Sequence, residues 1–245
     1  MANYDGLVLV AGASGDVGRR VVKTLLQEGI AVRALVRNKA KAAELEKLGA
    51  SVVLIDLTDE VNAPKILKKA MEGVTAVISA LGTRQPFSFT NGLRQVDYFG
   101  NRRLVDAALA AGVNHFILNS TMGLASPPTI FKPFSFPFYP KWEAEAYLVQ
   151  SGLTYTIIRP GGLVNSDAEL KGPAGWKHSP VLATAKLNGE DGFGGFGRIH
   201  RQDVAELLVK SLWTEATHKR IFEALDRASV RANDRAKILK GVFQN

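Results

Sequence analysis

A glycine-rich turn between an apolar strand and a helix constrains the fold of this 245-residue chain more than any other feature. Three glycines, spaced three residues apart, follow the apolar run at 7–10 and open a segment in which valine and leucine recur with helical spacing. Glycine allows a phosphate to approach the backbone, where a Cβ atom would collide with it, and the helix N-terminus supplies free amide hydrogens. The turn therefore predicts a dinucleotide site. Its candidate residues are Gly12, Ser14, Gly15, Asp16, Val17 and Gly18.

Strand and helix patterns alternate along the rest of the chain. Short apolar strands are predicted at 30–36, 51–55, 74–80, 115–119, 154–159 and 220–224, with helical patterns between most of them. Short apolar strands separated by amphipathic helices are typical of a parallel sheet that is covered on both faces. We therefore predict an α/β doubly wound parallel sheet, the Rossmann fold, as a single domain over residues 1–245. Residues 161–200 and the tail 227–245 are predicted to form a small substrate lobe built from loops.

Composition excludes several classes of protein. The chain has no cysteine, which excludes a disulfide scaffold, a thiolate metal site and a cysteine nucleophile. No apolar run approaches the roughly 18 residues of a membrane span, and no targeting segment is evident, so we expect a cytoplasmic protein. Of the net charge of +8, the tail from Arg227 carries +4, from five basic residues against one acid. No basic run is interleaved with aromatic residues, so nucleic-acid binding is not expected.

The end of the second strand bears on the choice of cofactor. An NAD site commonly places an acidic residue about 20 residues past the glycine turn, where it binds the ribose 2′-hydroxyl. No acid stands there, and Arg37 instead offers a cation suited to a 2′-phosphate, although a solvated arginine is the alternative. We therefore predict NADP (NADPH) as the cofactor. Asp56 ends the third strand, where it could accept from the adenine amino group or cap the following helix.

These motifs resemble the atypical short-chain dehydrogenase/reductase superfamily, and within it the NmrA-like NAD(P)H-binding group. Besides the glycine turn, the resemblance rests on the segments 96–101, 141–152, 155–162 and 199–207. The run at 81–84 is also similar to the biliverdin reductase B/flavin reductase branch. The resemblance implies further cofactor contacts where strands end and on the helix after strand five. These candidates are Leu57, Ala80, Leu81, Gly82, Lys141, Pro160, Gly161 and Gly162.

The resemblance also implies a catalytic set. The superfamily places a serine or threonine after strand five and a Tyr-x-x-x-Lys motif on the next helix, in which the tyrosine donates a proton. Ser120, Thr121 and Lys141 match, but Pro137 occupies the tyrosine register and has no proton to give. Tyr139 lies two residues before Lys141, so a continuous helix would point it to the opposite face. It is a candidate acid only if the segment bends there, and a packing role is the alternative.

Two functions of different classes remain open. The first is an NADPH-dependent oxidoreductase that reduces a small apolar carbonyl, quinone, flavin or related conjugated acceptor, a class that the phenylalanine-rich stretch at 127–140 would suit. The second is a non-catalytic NADPH sensor or assembly protein, which the loss of the tyrosine would permit. Homo-oligomerisation is left open, and the tail is predicted to be a helix docked on the domain or on a second subunit. The four histidines lack metal-ligand spacing and are expected at the surface.

Overall fold

The computed structural model describes residues 4–83, 85–124, 138–166, 178–187, 191–193 and 197–243. Most of the phenylalanine-rich stretch, including Pro137, lies outside these residues, as do parts of the predicted substrate lobe. The strands are β1 (Leu7–Ala11), β2 (Ala31–Val36), β3 (Ser51–Leu54), β4 (Val74–Ser79), β5 (His115–Asn119), β6 (Tyr155–Pro160), β7 (Gly162–Val164), β8 (Pro180–Ala185), β9 (Arg198–His200) and β10 (Arg220–Asp226). The helices are α1 (Asp16–Gln27), α2 (Lys39–Lys47), α3 (Ala63–Ala70), α4 (Asn101–Ala110), α5 (Tyr139–Gln150) and α6 (Arg201–Lys210).

The main sheet has the order β3-β2-β1-β4-β5-β6-β10-β8. Its neighbouring strands are parallel from β3 to β10, and β8 adds an antiparallel edge along β10. The reversal of strand order between β1 and β4 is the topological switch at which doubly wound sheets bind ligands. The predicted α/β doubly wound fold is confirmed.

Helices cover both faces of this sheet. On one face, Val21 and Leu25 of α1 and Leu208 of α6 are buried in one apolar cluster. On the other face, a second cluster contains Leu67 of α3, Leu104 of α4 and Leu148 of α5. The apolar strands between these layers are buried on both faces, because they supply side chains to each cluster alternately. Within the part of the chain described, no helix is long and apolar enough to cross a membrane.

The region 161–200 contains more regular structure than we predicted. Strands β7 and β9 pair in parallel as a separate two-stranded sheet. Strand β8 joins the main sheet by pairing with β10, with Val181 opposite Leu225. The expectation of a lobe built only from loops is therefore wrong for these three strands. The sequence pattern missed β8 because its partner, β10, lies some forty residues further along the chain, so the pairing is not visible locally.

The tail docks on the domain, as predicted, but it is not an α-helix. It forms short 3₁₀ turns at Arg227–Ser229 and Ala232–Lys237. Val230 is buried, Leu239 packs on the main core, and the Leu239 amide donates to the Leu182 carbonyl at 2.8 Å. Val230 and Ile238 pack in one apolar cluster, whereas Leu239, Val242 and Phe243 pack on another, and the single apolar stripe of a straight α-helix would not serve both. The arginines at 227, 231 and 235 are exposed.

His115, at the start of β5, is only 5% exposed, so the expectation that it lies at the surface is wrong. Its Nε2 lies 2.9 Å from Thr156 Oγ1, whose own hydroxyl donates to Thr217. The imidazole must therefore donate through Nε2–H, and its buried Nδ1 has no partner within the described part of the chain. Burial, and next the nearby His218, lower the pKa of His115 to about 3. The folded protein thus holds this imidazole neutral.

The neutral His115 predicts acid-sensitive stability. In the unfolded chain, histidine gains a proton below about pH 6.5, whereas the folded site resists it until pH falls to about 3. Its contribution to stability is therefore complete above pH 6.5 and is lost as pH falls below that value. Between about pH 7 and pH 5.5, the loss should be on the order of 1 kcal/mol in the free energy of unfolding.

Urea denaturation at the two pH values measures this loss. A His115→Gln variant keeps an amide donor for Thr156 but does not titrate, so its stability should change less between the same two conditions. An equal loss in both proteins would contradict the assignment.

Candidate cofactor-binding site

A cleft of about 610 Å³ opens at the carboxyl ends of β1 to β4. It lies at the switch in strand order where open α/β sheets bind their ligands. Many predicted cofactor residues line it: Gly12, Ser14, Gly15, Asp16, Arg37, Asp56, Leu57, Ala80, Leu81 and Gly82. Residues not singled out from the sequence complete the lining: Arg19, Leu35, Val36, Lys41, Ile55, Thr58, Thr83, Gln85, Asn91 and Val96.

The glycine turn forms the floor of the cleft. Gly12 has a φ of +71°, and a Cβ atom there would lie 2.4 Å from the Ala80 carbonyl oxygen. A Cβ atom at Gly18 would lie 2.2 Å from the Gly12 carbonyl oxygen, so the fold itself requires both glycines. Val17 and Gly18 are buried beneath the turn and do not line the cleft. Their contribution is to hold the turn against α1.

The N-terminus of α1 fits a pyrophosphate group. Gly15 is the N-cap residue, and no side chain caps the first turn of the helix. The Gly15 amide donates to the Gly12 carbonyl at 2.9 Å, and this hydrogen bond closes the turn. Both glycines line the cleft. Amide hydrogens at a helix N-terminus and the positive end of its dipole favour a bound anion. These features match what a dinucleotide requires.

Three cations surround one end of the cleft. Arg37 follows β2, and the first turns of α1 and α2 bring Arg19 and Lys41 to the same end. Glu44 is the carboxylate beside them, 4.0 Å from Arg19 and 3.1 Å from Lys41, so the group keeps an excess of positive charge. Arg37 Nη1 donates to Asn91 Oδ1 at 2.6 Å. Arg37 is exposed, and this hydrogen bond to a residue of the cleft orients its side chain.

Asp56 lies in the cleft but also makes local contacts. Its Oδ1 accepts from the Thr58 amide at 2.9 Å and from the Thr58 hydroxyl at 2.8 Å. Asp59, not Asp56, accepts from the amides that precede α3. The role of helix cap suggested for Asp56 is therefore wrong, and a contact with adenine stays a prediction.

Lys141 lies next to this cleft, paired with a carboxylate that sequence reasoning did not select. Its Nζ is 2.6 Å from Asp97 Oδ1 and 3.5 Å from the carbonyl oxygen of Leu81, a cleft residue. Asp97 belongs to a π-helical turn, Arg94–Gly100, that precedes α4. The sequence analysis used the segment containing Asp97 only as a mark of resemblance. Asp97 and Lys141 are 44 positions apart, and nothing in the sequence indicates that they form a pair.

The other candidate catalytic residues differ in their surroundings. Ser120 is buried directly after β5, and its hydroxyl has no hydrogen-bond partner among the residues that the structure describes, while Thr121 beside it is partly exposed. Tyr139 is 56% exposed and its ring stacks on Trp142 at a centroid distance of 5.8 Å. Tyr139 does not line the cleft. The structure supports its packing role and gives no support to its role as an acid.

The segment after β6 supports the fold more than the cleft. Pro160 is buried at the end of β6, and a Cβ atom at Gly161 would lie 2.5 Å from the Gly197 carbonyl oxygen. The Gly162 amide donates to the same oxygen at 2.8 Å. None of the three lines the cleft as described, so cofactor contact by Pro160, Gly161 and Gly162 stays a prediction.

Below Lys141, a buried ion pair fixes α5 to the sheet. Arg159 Nη2 lies 2.6 Å from Glu145 Oε2, and Arg159 Nε also donates to the same carboxylate. Both side chains are at most 1% exposed, and the guanidinium further donates to the Lys186 carbonyl. Since Glu145 lies one helical turn past Lys141, this pair sets the position of Lys141 along the sheet.

Comparison with known proteins identifies the family. A family model described as NAD(P)H-binding matches residues 12–215. The chain belongs to this NAD(P)H-binding family. An uncharacterized chloroplastic protein of Arabidopsis thaliana is 34% identical over 90% of the chain and 77% of the relative. The photosystem II assembly factor Ycf39 of Trieres chinensis is 32% identical over 88% of the chain, which spans only 62% of that relative.

Solved structures agree with this membership. A Bacillus halodurans structure described as an NAD-dependent epimerase/dehydratase has a TM-score of 0.74 at 25% identity, and covers 92% of this chain and 96% of its own. ChuY of Escherichia coli O157:H7, an anaerobillin reductase, has a TM-score of 0.69 at 24% identity, over 90% and 97%. The predicted resemblance is confirmed for the family and its fold. In the described residues, no group of histidine and acidic side chains could hold a metal ion.

Proposed function

We propose that the protein is an NADPH-dependent oxidoreductase that reduces a small apolar carbonyl, quinone, flavin or related conjugated acceptor. The observation that carries this proposal is the cleft itself, which has an uncapped helix N-terminus and a cationic end, with Lys141 beside it, as a dinucleotide would need. ChuY, which shares this fold, is named as a reductase, and that name agrees with the proposed reaction class.

The cationic end of the cleft favours NADPH over NADH. Arg19, Arg37 and Lys41 form a cluster of positive charge that an NADH ribose, with no 2′-phosphate, would not need. A guanidinium can bind a phosphate through two parallel hydrogen bonds. Asn91 orients Arg37 before any ligand binds, which reduces the conformational cost of that contact.

Removing the Arg37 guanidinium should therefore change cofactor preference. In an Arg37→Ala variant, NADPH binding should weaken by about 1.5–3 kcal/mol, the contribution of a hydrogen bond to a charged group. NADH binding should change little, because no 2′-phosphate is lost. Calorimetric titration of both cofactors measures the difference. The matched control is Lys23→Ala, which removes an exposed cation on α1 outside the cleft. Equal weakening of NADPH and NADH binding by Arg37→Ala would show that Arg37 only supports the fold.

Each residue around the bound cofactor has a distinct task in this proposal. The nicotinamide would supply the hydride, and the protein would bind, orient and enclose the reacting groups. Lys141 would bind the ribose beside the nicotinamide, and the unpartnered Ser120 hydroxyl would bond the substrate or the carboxamide, with Thr121 as its neighbour. Pro137 in the tyrosine register favours acceptors that need no proton from a tyrosine. Such acceptors include quinones and flavins.

Turnover of the purified protein tests this function. With NADPH supplied, a panel of quinones, flavins and small carbonyl compounds is added, and consumption of NADPH is followed by its absorbance. Turnover above the protein-free rate with at least one conjugated acceptor is expected. No turnover across the whole panel would contradict the proposal.

A second function, an NADPH-binding sensor or assembly protein, has its own support. Ycf39 is named as an assembly factor, and Tyr139 is not placed as an acid. This alternative predicts NADPH binding without hydride transfer, together with a protein partner that co-purifies. In either case we propose that the protein does not bind nucleic acid. A cytoplasmic location stays a prediction, and the Arabidopsis relative is chloroplastic by name. Whether the protein forms a homo-oligomer stays open.

A further inference from the structure

The ion pair between Asp97 and Lys141 spans the boundary between the core and the cleft. The Asp97 side chain is 1% exposed, whereas Lys141 is 19% exposed and reaches the Leu81 carbonyl at the cleft. Apart from the lysine ammonium, the two carboxylate oxygens of Asp97 have no partner among the residues described. A buried charge with one partner is costly, so this carboxylate depends on Lys141 for its stability.

The backbone around Asp97 is held in place by a separate set of hydrogen bonds. Asn101 Nδ2 donates to the Asp97 carbonyl at 2.7 Å, and the Asn101 amide oxygen accepts from the Ser79 hydroxyl at 2.6 Å. Asn101 and Ser79 are both buried, and Ser79 is the last residue of β4. The π-helical turn is thereby fixed to the end of a central strand. π-helical turns occur often at functional sites.

The neighbouring carboxylates on α5 pair with arginine side chains and not with Lys141. Glu145 is engaged by Arg159, and Glu143 lies 4.0 Å from Arg94. Asp97 is therefore the carboxylate that holds the Lys141 ammonium within the described part of the chain. Its position, beneath the lysine and away from solvent, fixes where the ammonium can lie at the edge of the cleft.

We propose that Asp97 is a positioning residue, which holds Lys141 where it binds the ribose beside the nicotinamide. This inference rests on the proposed function, because it assigns Lys141 to that half of the cofactor. It implies that Asp97 acts on the nicotinamide half alone. The adenine half lies at the cationic end with Arg37, and its binding does not involve the pair.

Two ligands separate this role from a merely structural one. NADPH contains both halves of the cofactor, whereas adenosine 2′,5′-bisphosphate contains only the adenine half with its phosphates. Calorimetry measures the affinity of both ligands for the full-length parent and for Asp97→Asn. NADPH should bind at least about tenfold more weakly to the variant, and the bisphosphate should bind within about threefold of the parent. Equal affinities for NADPH, or equal weakening of both ligands, would overturn the proposal.

A double-mutant cycle adds a second readout. Lys141→Met leaves the buried Asp97 carboxylate unpaired, and Asp97→Asn leaves the partly exposed Lys141 ammonium without its partner, so each should lower the melting temperature. The double variant removes both charges and should melt above either single variant, yet its affinity for NADPH should stay as low as theirs, because the lysine is no longer in place. Recovery of NADPH affinity together with stability would contradict the positioning role.

A conservative variant keeps the test decisive if Asp97→Asn does not fold. Asp97→Glu retains the charge but moves the carboxylate, so it should fold, bind the bisphosphate normally and bind NADPH more weakly. Normal NADPH affinity in a folded Asp97→Glu protein would overturn the proposal. A parent protein that binds neither ligand would refute the proposed function itself, which is a different failure from unchanged selectivity in the variants.

Discussion

A Gly15→Val variant should fold and lose NADPH binding. Gly15 has φ and ψ of −76° and 169°, which valine adopts readily, and its Cβ atom would meet only the Gly12 carbonyl oxygen, at 3.2 Å. The branched side chain would stand at the N-terminus of α1, where the pyrophosphate is expected to lie. The dissociation constant should rise at least about a hundredfold, or roughly 2.7 kcal/mol. Calorimetric titration measures it.

The choice of Gly15 matters because its neighbours would give an ambiguous result. Side chains at Gly12 or Gly18 would collide with backbone atoms, so binding would be lost together with the fold. Gly15→Ala adds one methyl group at the same place and should weaken binding less than valine does. Unchanged NADPH affinity in a Gly15→Val protein with a parental melting temperature would show that the phosphates do not bind at this turn.

Glu145→Gln should be the most destabilising of these substitutions. Arg159 is 1% exposed, and its charge is balanced by the carboxylate that this change removes. Breaking a buried ion pair on one side typically costs about 3–5 kcal/mol, because the remaining charge cannot reach water. Urea denaturation should show this loss in the free energy of unfolding.

A surface pair supplies the control for this measurement. Glu206 lies 3.9 Å from Lys210 on α6, and their side chains are 42% and 49% exposed. Glu206→Gln makes the same chemical change in water and should cost at most about 1 kcal/mol. Similar losses from the two substitutions would show that Arg159 finds solvent or another partner, and that the pair does not anchor α5.

The sequence predicted the parallel core because its signals are local. Each apolar strand and each amphipathic helix carries its own period, and the glycine turn fixes the relation of β1 to α1. The π-helical turn Arg94–Gly100 was not predicted, because the helical pattern between β4 and β5 does not distinguish a π-helical turn from an α-helix. The tail was wrongly predicted as an α-helix from three arginines at four-residue spacing, a pattern that 3₁₀ turns tolerate when the charges stay in solvent.

Site residues at strand ends were predictable from the sequence, whereas several that lie on helices were not. Arg37 and Leu81 stand at strand ends, which topology brings to one edge of the sheet. Arg19 and Lys41 read as ordinary surface residues of α1 and α2, because the sequence does not show that both helices begin at the same cleft. Asp97 reads as part of a helix, and only the folded chain shows its contact with Lys141.

Transfer of an isotope label tests most directly whether this cleft carries out hydride transfer. NADPH deuterated on one or the other face of the nicotinamide C4 is incubated with the protein and the panel of conjugated acceptors. The deuterium that remains in the NADP+ formed is measured by mass spectrometry, because hydrogen delivered to a quinone oxygen or a flavin nitrogen exchanges with water. If the protein is a reductase, the parent transfers deuterium from one face of the nicotinamide only, and Gly15→Val transfers none above the protein-free reaction. Tight NADPH binding by the parent, with no NADP+ formed above the protein-free reaction and no deuterium lost from either face, would contradict the reductase function and leave the sensor or assembly role.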